Sequence, residues 1–114
     1  MPLLFSYGTL RLPVVQDELF GRSVVEHADA LTGFHLTKVR IDDARVLRLS
    51  GSAVHSMLRA SGRPTDRVDG AVLELTDDEL LIADAYETSQ YQRVAVLTAN
   101  GRQAFVYVAA SGDL

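Results

Sequence analysis

Near its C-terminus the chain carries two apolar runs, Tyr91–Ala99 and Arg102–Ala110, which are separated by the dipeptide Asn100-Gly101. An Asn-Gly pair between two such runs is the strongest short-range signal for a β-hairpin. As a two-residue turn it predicts three cross-strand pairs: Thr98 with Gln103, Val96 with Phe105 and Val94 with Tyr107. Both faces of this ribbon are then apolar, so the sheet must be covered on both sides or curl into a barrel. In this register Tyr91 and Tyr107 lie on opposite faces unless a β-bulge intervenes.

A helix with a clear start precedes the hairpin. Thr76 and Glu79 have the capping-box spacing and apolar residues follow, so we predict a helix from about Asp77 to about Tyr86. Glu87 then falls at the C-terminal end, where the helix dipole disfavours a negative charge. The dipole and apolar surroundings would both raise the pKa of this carboxyl group towards neutrality, which suits a general acid or base. The alternative is an ordinary solvated carboxylate at a helix end.

Elsewhere, strand and helix patterns alternate irregularly, which predicts one mixed α/β (α+β) domain over residues 1–114. The length and the hydrophobic content of 47% suit a single core. The predicted elements are a strand Leu3–Tyr7, a helix that has Pro13 as its first residue and runs to Phe20 before Gly21, a strand region Glu26–Val39 split by Gly33, and a strand from Val68. Between about Asp42 and Arg67 the sequence gives only turn signals. Together with the two-faced hairpin, these elements favour a small mixed β-barrel flanked by short helices.

A glycine turn follows the first predicted strand, in the run Tyr7-Gly8-Thr9-Leu10. Because glycine lacks a Cβ atom, Gly8 permits a positive φ and a close approach. The backbone N–H groups of Gly8, Thr9 and Leu10 can then converge on a carboxylate or carbonyl oxygen. The other interpretation is an ordinary turn, since the further glycines or the Gly-Lys pair of phosphate-binding loops are absent.

Composition argues against several classes of protein. The chain has 11 basic and 15 acidic residues and a formal net charge of −4, which argues against nucleic acid as a partner. The absence of cysteine excludes disulfides and thiol nucleophiles. No apolar stretch reaches the roughly 20 residues that span a membrane, and the first residues lack the pattern of a signal peptide, so we expect a cytoplasmic location. The histidines, which are His27, His35 and His55, lack metal-binding spacing.

The order of four motifs resembles the γ-glutamylcyclotransferase-like family, which includes γ-glutamylamine cyclotransferases and AIG2-like proteins. Tyr7–Leu10 is similar to the family's Y-G-[ST]-L loop. Tyr86-Glu87, with Tyr91-Gln92-Arg93 downstream, is similar to its acidic motif followed by Y-x-R. Two further segments, Val68–Leu75 and Phe105–Val108, are similar to strands of the family. The resemblance extends from about Leu3 to about Ala109 and implies a γ-glutamylcyclotransferase-like fold.

The resemblance implies an enzyme that releases 5-oxoproline from a small γ-glutamyl compound by intramolecular aminolysis, without a cofactor or a metal. Glu87 is then the catalytic general acid and base. The implied substrate-binding residues are Tyr7, Gly8, Thr9, Leu10, Tyr91 and Tyr107.

Three points stay open in the sequence. The tyrosines can equally have a half-buried structural role. Arg93 can either pair with a nearby carboxylate or cover the edge of the sheet. A non-enzymatic module that binds a small carboxylated metabolite is compatible with the same pocket. The sequence leaves the particular γ-glutamyl compound and the oligomeric state undetermined.

Overall fold

The computed structural model describes residues 1–40, 43–51, 54–87 and 90–110. Over these ranges the chain forms seven strands and three α-helices, with a 3₁₀ helix, Thr9–Arg11, after the first strand. Their order is β1 (Leu3–Ser6), α1 (Pro13–Phe20), β2 (Glu26–Thr32), β3 (Phe34–Arg40), α2 (Ala44–Ser50), β4 (Val54–Ala60), β5 (Arg67–Glu74), α3 (Asp77–Tyr86), β6 (Tyr91–Leu97) and β7 (Gln103–Ala109). The predicted mixed α+β class is confirmed. None of these helices is long and apolar enough to cross a membrane.

The strands form two separate sheets. The larger has the order β2-β5-β1-β7-β6, in which β1 runs antiparallel to β5 and parallel to β7. The smaller sheet consists of the antiparallel pair β3 and β4. No ladder joins the two sheets in the described ranges, so the predicted barrel is too closed a description. The two faces of the larger sheet are covered by separate layers, the helices on one side and the smaller sheet on the other, and not by closure into a barrel.

The core lies on both faces of the larger sheet. One face packs against the helices through a cluster that includes Leu4, Val15, Val46, Leu73, Leu80 and Tyr107. The opposite face packs against the smaller sheet through a cluster that includes Phe5, Leu31, Leu58, Val72 and Val106. Adjacent residues Leu4 and Phe5 thus belong to different clusters, because successive side chains of a strand point to opposite faces. This confirms that the sheet is apolar on both sides.

The hairpin of β6 and β7 differs from the predicted register by one residue. Thr98 N–H donates to Arg102 O at 2.8 Å, and Gly101 N–H donates to Thr98 O at 2.9 Å. Gly101 has a φ of 82°, so the connection is a three-residue loop that ends in a left-handed glycine. The ladder pairs are accordingly Leu97 with Gln103, Val96 with Ala104, Ala95 with Phe105 and Arg93 with Tyr107. The predicted pairs are wrong, and the shift brings Tyr91 onto the face of Tyr107.

Local signals define most other elements. Thr76 and Glu79 form the predicted capping box, and α3 ends at Tyr86 with Glu87 as its C-cap. Helix α1 begins at Pro13 and ends before a left-handed Gly21, as predicted. The segment that gave only turn signals contains α2 and β4, although its predicted first residue, Asp42, lies outside the described residues.

Candidate active site

A cavity of about 210 Å³ opens where β1, the 3₁₀ helix, β4 and the end of α3 meet β6 and β7. We call it the Glu87 cavity. Its lining consists of Phe5, Ser6, Tyr7, Gly8, Thr9, Leu10, Leu12, Val54, His55, Ser56, Glu87, Tyr91 and Tyr107. The seven residues singled out in the sequence as catalytic or substrate-binding are all in this lining.

Among the described residues of the lining, Glu87 alone carries a carboxylate. Its N–H closes the last turn of α3 by donating to Ala83 O at 3.0 Å, which fixes the start of the side chain. In the described ranges no group donates a hydrogen bond to the carboxylate. Burial, together with the negative charge of Asp84, raises the pKa of Glu87 from 4.5 to about 7. The sequence predicts burial as a cause but gives no indication of Asp84.

Asp84 lies one turn earlier on α3 and is held in its ionised form. Arg93 donates to both of its carboxylate oxygens, from Nε at 2.8 Å and from Nη2 at 3.0 Å. The Tyr107 hydroxyl donates to Oδ1 at 2.6 Å. Burial acts to raise the pKa of Asp84, but these hydrogen bonds outweigh it and lower the pKa. The expected pairing of Arg93 with a nearby carboxylate is confirmed, and this fixed charge faces Glu87.

The tyrosines of the cavity donate their hydroxyl protons to the protein itself. Tyr7 donates to Tyr107 O at 2.7 Å and accepts from Leu58 N–H at 3.3 Å. Tyr91 donates to Ser56 O at 3.0 Å. Burial raises the pKa of Tyr7, Tyr91 and Tyr107 above the ordinary value, so these groups stay neutral. They therefore form rigid walls and offer no hydroxyl proton to a ligand.

The glycine turn supplies backbone donors. Arg11 N–H donates to Gly8 O at 3.2 Å and opens the 3₁₀ helix, whose first N–H groups have no partner within the helix. Gly8 N–H makes a long contact of 3.4 Å with Ser6 Oγ. The N–H groups of Thr9 and Leu10 meet no acceptor in the part of the chain that the structure describes.

The predicted positive φ at Gly8 is wrong. Gly8 has a φ of −144°, and a Cβ atom built there meets nothing within 4 Å. A positive φ is therefore not required. The side of Gly8 that a Cβ would occupy is open space beside the cavity, which leaves the backbone accessible to a ligand.

One wall of the cavity was not apparent from the sequence. Val54, His55 and Ser56 at the start of β4, which we call the β4 wall, come from the stretch that gave only turn signals. His55 Nε2 lies 3.1 Å from Ser50 Oγ, so the ring is anchored to the last residue of α2. No local pattern marks these residues, because their place in the lining depends on contacts between β4 and the distant β6 and β7. In the described ranges no three His, Asp or Glu side chains converge as ligands of a metal ion.

These elements and their connections define a γ-glutamyl cyclotransferase-like fold. A solved structure of a gamma-glutamyl cyclotransferase is similar with a TM-score of 0.71 and 18% identity, over 95% of this chain and 66% of that one. An Arabidopsis thaliana protein solved in solution is similar with a TM-score of 0.73 and 23% identity, over 99% of this chain and 64% of that one. At these identities the likeness establishes the fold alone.

The chain belongs to the gamma-glutamyl cyclotransferase, AIG2-like family, whose family model matches residues 4–113. AIG2-like protein C of Arabidopsis thaliana is 37% identical over 95 residues, which are 82% of this chain and 47% of that protein. The chain thus spans about half the length of this curated relative. The family predicted from the motifs is confirmed.

Proposed function

We propose that this protein is a γ-glutamylcyclotransferase-type enzyme that releases 5-oxoproline from a small γ-glutamyl compound. The observation that carries the proposal is the carboxyl group of Glu87, which lines the cavity, meets no hydrogen-bond donor among the described residues and has a pKa of about 7. A carboxyl group with that pKa exchanges protons readily at neutral pH, which is the requirement for a general acid and base. Membership of the family supports the reaction class.

The proposed reaction begins with a proton transfer. The α-amino group of a γ-glutamyl compound has a pKa near ~8 and is mostly an ammonium ion at neutral pH, so it cannot attack. Glu87 removes one proton from it. The freed nitrogen attacks the γ-carbonyl carbon, a new C–N bond closes the five-membered ring, and the carbonyl oxygen becomes negative. Glu87 then protonates the leaving nitrogen, whose bond to the carbonyl carbon breaks as the carbonyl group forms again. The ring nitrogen gives its second proton to the Glu87 carboxylate, which passes it to the departing amine, so that 5-oxoproline and an ammonium form of the amine result.

The glycine turn is the proposed site for the negative oxygen or for the glutamyl carboxylate. The tyrosine hydroxyls donate within the protein, so we assign this oxygen to the backbone N–H groups of the turn. Those of Thr9 and Leu10 have no acceptor in the described ranges, and Gly8 makes only one long contact. Donors fixed in advance stabilise developing charge without reorganisation, an effect typically worth about 10²- to 10³-fold per donor. The rigid walls would hold the substrate folded towards its ring-closing geometry.

Measuring 5-oxoproline tests the proposal. The purified protein is incubated with γ-glutamyl amino acids, γ-glutamylamines and glutathione, in parallel with Glu87→Gln and a control, Glu74→Gln. Glu74 lies outside the cavity lining, where it pairs with His27. We expect product from the native protein and from the control but not from Glu87→Gln. Binding of these compounds without any product would favour the metabolite-binding module instead.

A further inference from the structure

The mouth of the Glu87 cavity is lined by two exposed apolar side chains from different elements. Leu12 precedes α1 and is 38% exposed, and Val54 begins β4 and is 53% exposed. A single exposed apolar residue needs no explanation, but these two share one opening. The described lining contains no Lys or Arg, and its one carboxylate is Glu87.

The size of the cavity determines which part of a substrate reaches this mouth. Pockets that enclose a whole drug-sized ligand measure about 300–1,000 Å³, whereas this one measures about 210 Å³. If the proposed function holds, the glutamyl portion must lie inside, with its α-nitrogen at Glu87 and the glycine turn close by. The leaving amine, at the other end of the γ-carbonyl group, then extends past Leu12 and Val54.

We propose that Leu12 and Val54 select the leaving group, and that the substrates are γ-glutamyl amides of uncharged, apolar amines. An apolar stem buries surface against these two side chains, which is favourable. Among the residues that the structure describes, the rim offers no fixed partner of opposite charge, so a carboxylate or an ammonium group at the same place would lose water without compensation. His55, on the β4 wall, is the one basic side chain of the described lining, and its ring is anchored to Ser50.

Three synthetic probes with one carbon stem isolate this preference. They are the γ-glutamyl amides of n-butylamine, norvaline and putrescine. The butylamine stem is uncharged, norvaline adds a carboxylate to it, and putrescine adds an ammonium group. We expect kcat/KM for the butylamide to exceed that of each other probe by about tenfold or more, which is the usual discrimination of a small apolar contact.

Paired variants assign the preference to the rim. Val54→Ser is compared with Val25→Ser, because both valines are 53% exposed and Val25 lies outside the cavity lining. Leu12→Ser is compared with Leu36→Ser, whose leucine is 42% exposed. Serine is a favourable N-cap residue, so Leu12→Ser should leave α1 intact. We expect each rim variant to lower kcat/KM for the butylamide about threefold to tenfold, with the other two probes and both control variants nearly unchanged.

The outcomes separate this inference from the proposed function. Turnover of all three probes with equal efficiency, or equal losses on all three in the rim variants, overturns the apolar selection and leaves the enzyme assignment standing. Preference for the norvaline probe also overturns the apolar selection, and it would indicate that His55 contacts the carboxylate of the leaving group. Absence of 5-oxoproline from every probe and from the wider substrate panel overturns both proposals.

Discussion

Two carboxylates at opposite ends of the β6–β7 hairpin, the buried Asp29 and the half-buried Glu87, have opposite chemistry. At the turn, the side chain of Asp29 is fully buried and accepts hydrogen bonds from Ala30 N, Asn100 N and Arg102 Nη1 at 2.8, 3.1 and 2.8 Å. At the open end, Glu87 accepts none in the described ranges. Burial raises the pKa of both groups, but the hydrogen bonds at Asp29 outweigh it and lower its pKa to about 2, whereas that of Glu87 rises to about 7.

The difference shows that hydrogen-bond donors can outweigh burial and keep a carboxylate ionised, as they do at Asp29 and not at Glu87. A carboxylate surrounded by donors stays ionised and holds chain segments together. One without donors, beside another negative charge, can exchange a proton at neutral pH. Asp84 is of the first kind although it adjoins the cavity, because Arg93 and Tyr107 donate to it.

Turnover should separate the two carboxylates most strongly. Loss of the general acid and base in Glu87→Gln should lower kcat by about 10²- to 10⁴-fold, since the amide cannot exchange the proton. Asp29→Asn should retain kcat within a few fold, because the turn lies at the other end of the hairpin. Steady-state assays of 5-oxoproline release on both folded variants make the comparison. Retained turnover in Glu87→Gln would rule out the assigned role.

Stability should respond in the opposite direction. Asp29→Asn removes the charge that pairs with Arg102 and supplies an N–H₂ group where backbone N–H groups need an acceptor. We expect the free energy of unfolding to fall by about 3 kcal/mol, as for other broken buried pairs. Asp69→Asn serves as control, because that side chain is 82% exposed and its pair with Arg67 should contribute less than about 1 kcal/mol. Urea titrations of both variants measure the difference, and equal midpoints would contradict the account of Asp29.

The raised pKa of Glu87 also makes a prediction about stability and pH. Between pH 4.5 and about 7 the folded protein binds a proton at Glu87 that the unfolded chain has lost, so the native protein loses stability as pH rises through this window. The shift corresponds to about 3 kcal/mol. Glu87→Gln does not titrate, so its stability relative to the native protein should increase by that amount from pH 4 to pH 8. A difference that is constant with pH would mean that the pKa is not raised.

The smallest predicted effect is a shift of the pH profile. Removing the negative charge in Asp84→Asn should favour ionised Glu87 and lower its pKa, so the acid limb of kcat/KM should move to lower pH by about one unit. Asp17→Asn, on the exposed side of α1, should leave the profile in place. A limb that does not move in Asp84→Asn would show that Asp84 only supports the fold.

Local sequence signals predict the position of Glu87, but they predict neither the hairpin register nor the β4 wall. The capping box at Thr76 marks the start of α3, and the apolar residues that follow extend the helix to about Tyr86, which places Glu87 at its end from sequence alone. The hairpin register could not be predicted from Asn100-Gly101, because the turn is held by distant groups: Ala99 N–H donates to Ala30 O, and Asn100 N–H to Asp29. The β4 wall was missed for the same reason, since tertiary contacts place it at the cavity. The N-cap Asp43 and the left-handed Gly51 were local signals for α2 that could have been used.

The hydroxyl of Tyr7 has a further consequence, because it stands between a backbone N–H of β4 and a backbone C=O of β7. One side chain thus bridges two strands that no ladder joins in the described ranges. We expect β3 and β4 to open as one cooperative unit while the larger sheet stays folded, so that amide hydrogens of β3 and β4 exchange with solvent before those of β1 and β5. The β4 wall would then belong to the less protected unit of the molecule. Glu87, at the end of α3, would belong to the more protected unit.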